Sequence, residues 1–274
     1  MSLRDHHIGF IGAGNMAEAI VRGLLSADAV PAASICVSDV RKERLSAFSA
    51  LGVIAFSDNK RVADEVDILV LSVKPQVMSD ILAELKSSID PQTLVISIAA
   101  GVRTSAIEAK LQSGVRVIRV MPNTPLLVGK GVSALVAGRK ASGDDLELAS
   151  EIFSSSGEVL LLKDESMMDA VTAVSGSGPA YVFYLAEAML KAAKDEGLPD
   201  DIAQKLVRFT VRGAGEMLTA AGASSPSDLR RQVTSPNGTT EAAVKLMDSA
   251  AVFDTLVRAV RRAAERSREL GKGS

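Results

Sequence analysis

Through the first half of the chain, short apolar runs alternate with stretches whose apolar residues recur at the helical period. Ile8-Gly-Phe-Ile, Ser34-Ile-Cys-Val, Val66-Asp-Ile-Leu-Val-Leu, Thr93-Leu-Val-Ile-Ser-Ile and Val115-Arg-Val-Ile-Arg-Val read as buried strands. Helices are expected between them, around residues 15–26, 41–50, 75–87 and 103–112. In the first of these, Met16, Ile20 and Leu24 share a face, and Glu18 precedes Arg22 by four residues as a supporting pair. Strictly alternating strands and helices imply right-handed crossovers and a doubly wound, mostly parallel sheet. Two further runs, Val132-Ser-Ala-Leu-Val-Ala and Val159-Leu-Leu-Leu, carry that sheet to about residue 162.

Beyond Lys163 the period changes. Helices are expected from near Ser166, from Pro179 to Gly197, and from Asp200 to about Ala221, the last with apolar positions at 202, 206, 207, 211, 214 and 218. A Ser/Pro/Gly-rich break at 222–227 and a loop at 233–239 precede helical sequence from Thr240 to Leu270. This half is all-α, with a wider apolar surface than one thin domain can cover.

Composition narrows the chemistry. Of 274 residues, 47% are hydrophobic but only 3% aromatic, with no Trp, so aliphatic side chains fill the core. A net charge of -2 gives no positive field for nucleic acid or anionic lipid. The longest stretch without a charge or histidine, Ala170 to Ala186, is broken by Gly176, Gly178 and Pro179 and is too short for a membrane span. A polar start at Met1-Ser2-Leu3-Arg4-Asp5 and a single cysteine, Cys36, point to the cytoplasm. The only histidines are the adjacent His6 and His7, so a Ser-His-Asp triad, a Cys-His dyad or a Cys/His zinc site has no members to draw on. The chemistry must come from a bound cofactor.

Gly12-Ala13-Gly14-Asn15-Met16-Ala17 supplies the means to hold one. It matches G-x-G-x-x-A after the first strand and at the opening of the first helix, where free N–H groups and the helix dipole receive a pyrophosphate. The second strand ends in Ser38 and Asp39, followed by Arg41 and Lys42. The acid is the usual ligand of the ribose hydroxyls of NAD, whereas a hydroxyl beside two cations suits the 2′-phosphate of NADP; both signals are present. Ser72-Val73-Lys74-Pro75, Ile98-Ala99-Ala100-Gly101 and Met121-Pro-Asn-Thr-Pro125 follow later strands and so lie at the ligand-binding edge of such a sheet. Ser175-Gly-Ser-Gly-Pro-Ala-Tyr181 reads as a packing device. Val233-Thr-Ser-Pro-Asn-Gly-Thr-Thr240 presents hydroxyls and N–H groups at a helix start, which suits a substrate carboxylate or simple N-capping. The C-terminal arginines are interleaved with Glu265 and Glu269 and read as a solvated face.

Taken in this order, these motifs resemble the pyrroline-5-carboxylate reductase family over essentially the whole chain. The resemblance implies a Rossmann-like domain over 1–163 and an all-α substrate-binding and dimerisation domain over 164–274. It implies reduction of 1-pyrroline-5-carboxylate to L-proline, the last step of proline biosynthesis, with NADP(H) preferred over NAD(H). A homodimer through the C-terminal helices is implied, with decamers as the family's further assembly. Nucleotide contacts would fall on Gly12 to Met16, Ser38, Asn59, Ser72, Val73, Lys74, Pro75, Ile98, Ala99 and Ala100, beside the candidates Asp39 and Arg41. Substrate contacts would fall on Ser235, Gly238, Thr239 and Thr240, with Glu165 nearby and the Thr240 hydroxyl as the catalytic hydrogen-bond partner of the ring nitrogen. Asn237 and Thr239 stand where relatives often carry Gly and Ala. A β-hydroxyacid dehydrogenase is the nearest rival, but a lysine follows the interdomain glycines of that family by about one helical turn, where this chain has Val182 and Phe183. A non-catalytic nucleotide-binding regulator would need no hydroxyl-rich anion loop.

Overall fold

The structure is a computed structural model that describes residues 3–220, 222 and 224–272. The expected polar opening at Met1-Ser2 and the expected helix end at Ala221 lie outside the described residues. Two compact units emerge: one comprises the described residues up to Ser177 together with those from Ala263 onward, and the other is Gly178–Arg262.

The first unit is built on eight strands: β1 (Ile8–Ile11), β2 (Ile35–Ser38), β3 (Ile54–Phe56), β4 (Ile68–Leu71), β5 (Leu94–Ser97), β6 (Arg116–Met121), β7 (Gly131–Ala137) and β8 (Gly157–Leu161). They form a single sheet in the order β3-β2-β1-β4-β5-β6-β7-β8. Every pairing is parallel except β6 with β7, which run antiparallel and are joined by a loop containing the 3-10 turn Thr124–Val128. The intervening helices are α1 (Asn15–Ser26), α2 (Lys42–Ser49), α3 (Asn59–Asp64), α4 (Met78–Leu85), α5 (Thr104–Lys110), α6 (Gly143–Ser154) and α7 (Met168–Val171).

Alternation along the strands divides the core into two layers. Ile8, Phe10, Ile68, Val70, Leu94 and Ile96 face one side, where Ile20 and Leu24 of α1 and Ile152 and Phe153 of α6 cover them. Ile11, Leu69, Leu71, Val95 and Val117 face the other, beneath Val62, Leu82, Leu85 and Ile107. Fully burying one such side chain contributes about 1.5–3 kcal/mol, so the sheet holds the loops at its edge rigidly.

Five elements depart from the expected pattern. β3 is an edge strand of three residues with Ile54 43% exposed, too short and too open to print an alternation. α3 is a six-residue helix capped by Asp58, and α6 is set by a capping box in which Ser142 and Asp145 satisfy each other's N–H. The expected helix at 75–87 starts as a 3-10 turn at Pro75–Val77 before α4. The helix expected near Ser166 is a 3-10 turn, then α7, then a π-helical turn over Thr172–Gly176.

The second unit contains α8 (Gly178–Asp195), α9 (Asp200–Thr219), α10 (Pro226–Gln232) and α11 (Thr239–Ser249), and α12 (Val252–Lys272) begins within it. Gly197, at φ +85°, supplies the expected stop between α8 and α9. The helical sequence expected from Thr240 to Leu270 forms two helices separated at Ala250-Ala251, where Ala251 adopts φ +52°. α8 has no buried residue, and α9 buries only Ala203 and Val207. Phe183, Phe209 and Phe253 are each about two-thirds exposed, at 66%, 67% and 66%. No helix among the described residues is long and apolar enough to cross a membrane.

Candidate active site

The glycine loop links β1 to α1. Gly12 has φ +98°, and a Cβ there would lie 2.8 Å from the Ser72 carbonyl oxygen, so only glycine fits. Gly14 differs: a Cβ there would meet nothing within 4 Å. Gly14 also serves as the extended N-cap of α1 and provides no side-chain cap, which leaves the first-turn N–H groups without a side-chain partner at the cap. That is a cradle shaped for a phosphate, and a dinucleotide fits it.

Neighbouring strand ends hold the loop. Gly12 N–H donates to Ser38 O at 2.8 Å, Ser72 N–H donates to Ile11 O at 2.9 Å, and Ser72 Oγ lies 2.6 Å from Gly12 O. Asp39 accepts from Ala13 N–H at 2.8 Å and from three N–H groups of Arg41 (backbone, Nε and a terminal nitrogen), each at 2.9 Å. Burial pushes the Asp39 carboxyl up, but the hydrogen bonds and charge of Arg41, with the Ala13 N–H, outweigh it and hold the group at about 2. Ser38 is buried and spends its proton on Asn59 Oδ1 at 2.7 Å, while Asn59 Nδ2 donates to Glu84 at 3.1 Å. Arg41 is half-exposed and Lys42 opens α2. Ser38 and Asn59 therefore satisfy each other, and Arg41 remains the cation at the rim.

One participant has no signal in the sequence. Arg44 Nε donates to Ala13 O at 2.6 Å, and its terminal nitrogen donates to Glu18 at 2.7 Å. Glu18, read from spacing as the partner of Arg22, in fact bridges both arginines, and hydrogen bonds from Arg44 and then Arg22 hold its carboxyl below the ordinary value. No periodicity reveals a contact between residues 31 positions apart.

The later loops lie at the same edge. Ile98 N–H donates to Leu71 O at 3.2 Å, Ala99 is buried, and Gly101 turns the chain at φ +79°. Val73, Lys74 and Pro75 follow β4, with Pro75 opening the 3-10 turn. In the Met121–Pro125 loop, Asn123 Nδ2 donates to Ser175 Oγ at 3.2 Å and its Oδ1 accepts from Val132 N–H at 3.0 Å. A Cβ on Gly176 would lie 2.4 Å from Met121 Cε, so the small residues at 175–176 serve close packing, as expected. Glu165 uses both carboxylate oxygens inside the first unit: one accepts from Thr104 N–H at 2.9 Å and Arg119 at 3.0 Å, the other from Thr104 Oγ1 at 2.9 Å.

The loop from Val233 to Thr240 belongs to the second unit. Gly238 is the N-cap of α11 with no side-chain cap, so Thr239 and Thr240 open the helix without capping it. Simple N-capping, the alternative reading of those hydroxyls, is thereby removed. Asn237 adopts φ +57°, a conformation that asparagine tolerates best after glycine. Its N–H donates to Glu241 at 2.9 Å. Ser235 packs so closely that a Cβ on Gly238 would lie 2.5 Å from its Oγ. Ser235 and Thr239 are exposed, whereas Gly238 and Thr240 are half-buried.

Comparison with known proteins decides what this pair of features belongs to. A model described as pyrroline-5-carboxylate reductase dimerisation matches residues 165–270, and one described as NADP oxidoreductase, coenzyme F420-dependent, matches residues 7–101. The pyrroline-5-carboxylate reductase of Methanosarcina acetivorans is 43% identical over 271 residues, covering 98% of this chain and 100% of its own. The chain belongs to the pyrroline-5-carboxylate reductase family. The reductase of Corynebacterium melassecola is 40% identical, over 97% of this chain and 98% of its own. Among solved structures, the pyrroline-5-carboxylate reductase of Coxiella burnetii superposes with a TM-score of 0.86 at 38% identity, covering 97% of this chain and 98% of that one. The Plasmodium falciparum enzyme, solved with NADP bound, gives 0.88 at 28% identity, covering 98% and 99%.

Proposed function

We propose that this member of the pyrroline-5-carboxylate reductase family reduces 1-pyrroline-5-carboxylate to L-proline, the last step of proline biosynthesis, with NADPH as the preferred reductant and NADH accepted. The observation that carries the reading is the open, capless glycine loop at Gly14, in a chain whose full length matches reductases of that name. The NADP found in the Plasmodium relative and the description of the 7–101 match as an NADP oxidoreductase support the cofactor.

By role, residues 1–163 are assigned to the nucleotide domain and 164–274 to the substrate and dimerisation domain, a division that differs from the compact units, since residues 164–177 and the described residues from Ala263 onward group with the first unit. Gly14, Asn15 and Met16 offer N–H groups to the pyrophosphate. Arg41 faces the adenosine 2′-position, with Ser38, Asp39 and Asn59 shaping its surroundings; Ser72 to Pro75 and Ile98 to Ala100 flank the nicotinamide. When bound, the cofactor supplies the hydride. Ser235, Gly238 and Thr239 hold the substrate carboxylate at the start of α11, and Thr240 Oγ1 hydrogen-bonds the ring nitrogen, which arrives protonated and keeps its proton as the neighbouring carbon is reduced. Glu165 serves the site through Thr104 and Arg119 rather than by touching substrate. No general acid is needed, so positioning supplies a large share of the rate. The chain works as a cytoplasmic homodimer through its C-terminal helices, with decamers as the further assembly.

NADPH oxidation measured with and without the cyclic imine tests this, with proline as the product assayed. No proline above background at saturating cofactor rejects the assignment and favours a different dehydrogenase or a regulator. For cofactor choice, Arg41→Ala should lower the ratio of kcat/KM for NADPH over NADH; a preference for NADH in the wild type, unmoved by that change, assigns Asp39 to the ribose.

A further inference from the structure

The two peptide planes of the glycine loop are both fixed by groups outside it. The first joins Gly12 to Ala13. Its N–H, on Ala13, donates to Asp39 Oδ2 at 2.8 Å, and its carbonyl, on Gly12, lies 2.6 Å from Ser72 Oγ. The second joins Ala13 to Gly14. Its carbonyl, on Ala13, accepts from Arg44 Nε at 2.6 Å. In a trans peptide the N–H points opposite to the carbonyl. Arg44 therefore aims the Gly14 N–H away from its own guanidinium, and Gly14 borders open space, since a Cβ there would meet nothing within 4 Å. Three of the four polar groups of these two peptides are engaged within the fold, and the one left over is the Gly14 N–H.

We infer that Asp39 and Arg44 are positioning residues for the pyrophosphate: together with Ser72 they lock the Gly12-Ala13-Gly14 backbone so that the Gly14 N–H is presented as a preset anion donor. This rests on the reading of the loop as a dinucleotide site and deepens it. It reverses the usual meaning of an acid at the end of the second strand. The Asp39 carboxylate has its oxygens filled by Ala13 and Arg41, so it acts on the phosphate half of the nucleotide and leaves the ribose to other groups. Arg44 is itself held in place by Glu18, which also binds Arg22, so the lock extends into α1. A loop fixed before binding loses less conformational freedom when the ligand arrives.

The test measures direct binding by calorimetry of NADPH, NADH, ADP-ribose and 2′-AMP to the wild type, Arg44→Met, Asp39→Ala and Asp39→Asn. Arg44→Met should weaken NADPH, NADH and ADP-ribose by one common factor, roughly tenfold as for loss of a charged hydrogen-bond partner, and leave 2′-AMP unchanged because it carries no pyrophosphate. Asp39→Ala should weaken both dinucleotides, and Asp39→Asn, which keeps an acceptor for Ala13, should weaken them less. In turnover the loss should appear in the cofactor KM rather than in kcat. Asp39→Ala that tightens NADPH while weakening NADH would show a ribose ligand and overturn the inference, as would Arg44→Met binding ADP-ribose normally. Should one alanine variant fail to fold, Asp39→Asn and Arg44→Lys carry the comparison, with Arg44→Lys expected to fall between wild type and Arg44→Met. A wild type that binds no dinucleotide rejects the proposed function itself, an outcome distinct from variants that bind as well as wild type.

Discussion

Replacing Glu165 with alanine removes a carboxylate that three donors share. Arg119 lies in β6 between Ser97 and Val136, its side chain only 4% exposed, and one of its terminal nitrogens is buried without a hydrogen-bond partner. Its other terminal nitrogen depends on Glu165. Thr104 opens α5, and its N–H is satisfied by the same carboxylate. Glu165→Ala thus strands a buried cation and uncaps a helix. Breaking a buried pair from one side costs about 3–5 kcal/mol, and Glu165 at 23% side-chain exposure argues for the lower end, about 3 kcal/mol. In a domain of this size that lowers Tm by roughly 6–12 °C.

Thermal and urea unfolding at one fixed protein concentration reads the effect, since self-association adds its own stability. Glu165→Gln should lose less, because it keeps an acceptor for the Thr104 N–H. Arg119→Met combined with Glu165→Leu should recover most of the loss, since removing both charges removes the unpaired one. A Tm for Glu165→Ala within about 2 °C of wild type, accompanied by a raised KM for the imine, would refute this and make Glu165 a direct substrate ligand. A double variant less stable than Glu165→Ala would show that the stranded cation is not the source of the cost.

Gly14→Val should fold normally and bind no dinucleotide, whereas Gly12→Val should melt early, because its Cβ would lie 2.8 Å from a backbone carbonyl at φ +98°; circular dichroism with cofactor titration separates the two. Thr240→Ala should lower kcat with the imine by roughly 5- to 150-fold at little change in NADPH affinity; a variant that turns over normally leaves the hydroxyl without a catalytic role. With its carboxyl held at about 2, Asp39 stabilises the fold fully above pH 4, and that contribution is lost as pH falls through 2. It amounts to about 1–2 kcal/mol once solvent screening at half-exposed Arg41 is allowed for, so urea unfolding of wild type against Asp39→Asn should converge by that amount between pH 4 and pH 2. Phe209→Asp on α9 should shift light scattering toward the 28.6 kDa monomer, while wild type should give at least a dimer at micromolar concentration.

The fold was largely legible because it rests on period. Strands buried on both faces print continuous apolar runs, and α1 appears at its expected bounds since Met16, Ile20 and Leu24 repeat cleanly. What escaped is what period does not encode. β3 is three residues on a sheet edge, and α6 carries Ser142-Gly-Asp-Asp145 ahead of Leu146, Ala149 and Ile152, a capping box and helical repeat present in the sequence but hidden between two strand-like runs. The break at Ala251 escaped because alanine signals helix, not a residue at φ +52°. In the site, the motif placed the glycine loop on its strand and helix but could not say where Asp39 points, nor bring Arg44 to Ala13, because both follow from the packing of α2 against β1 and β2.

That last point bears on how an acid at a strand end is interpreted. Position alone assigns Asp39 to a ribose, because in an open sheet the end of the second strand lies near the adenosine. Its function depends instead on which donors reach it first. Here the Arg41 fork is two residues away and the Ala13 N–H is brought alongside by the pairing of β1 with β2, and together they hold the carboxyl at about 2. A ribose hydroxyl would have to displace one of them, and against Arg41 it would exchange a bond in which both partners are charged for one in which only the carboxylate is. The same bonds keep Arg41 near the adenosine end of the cradle. One residue can therefore look like a signature for NAD while its contacts favour a cation at the place a 2′-phosphate would occupy. The sign of the NADPH response to Asp39→Ala follows from that competition, not from the residue's place in the motif.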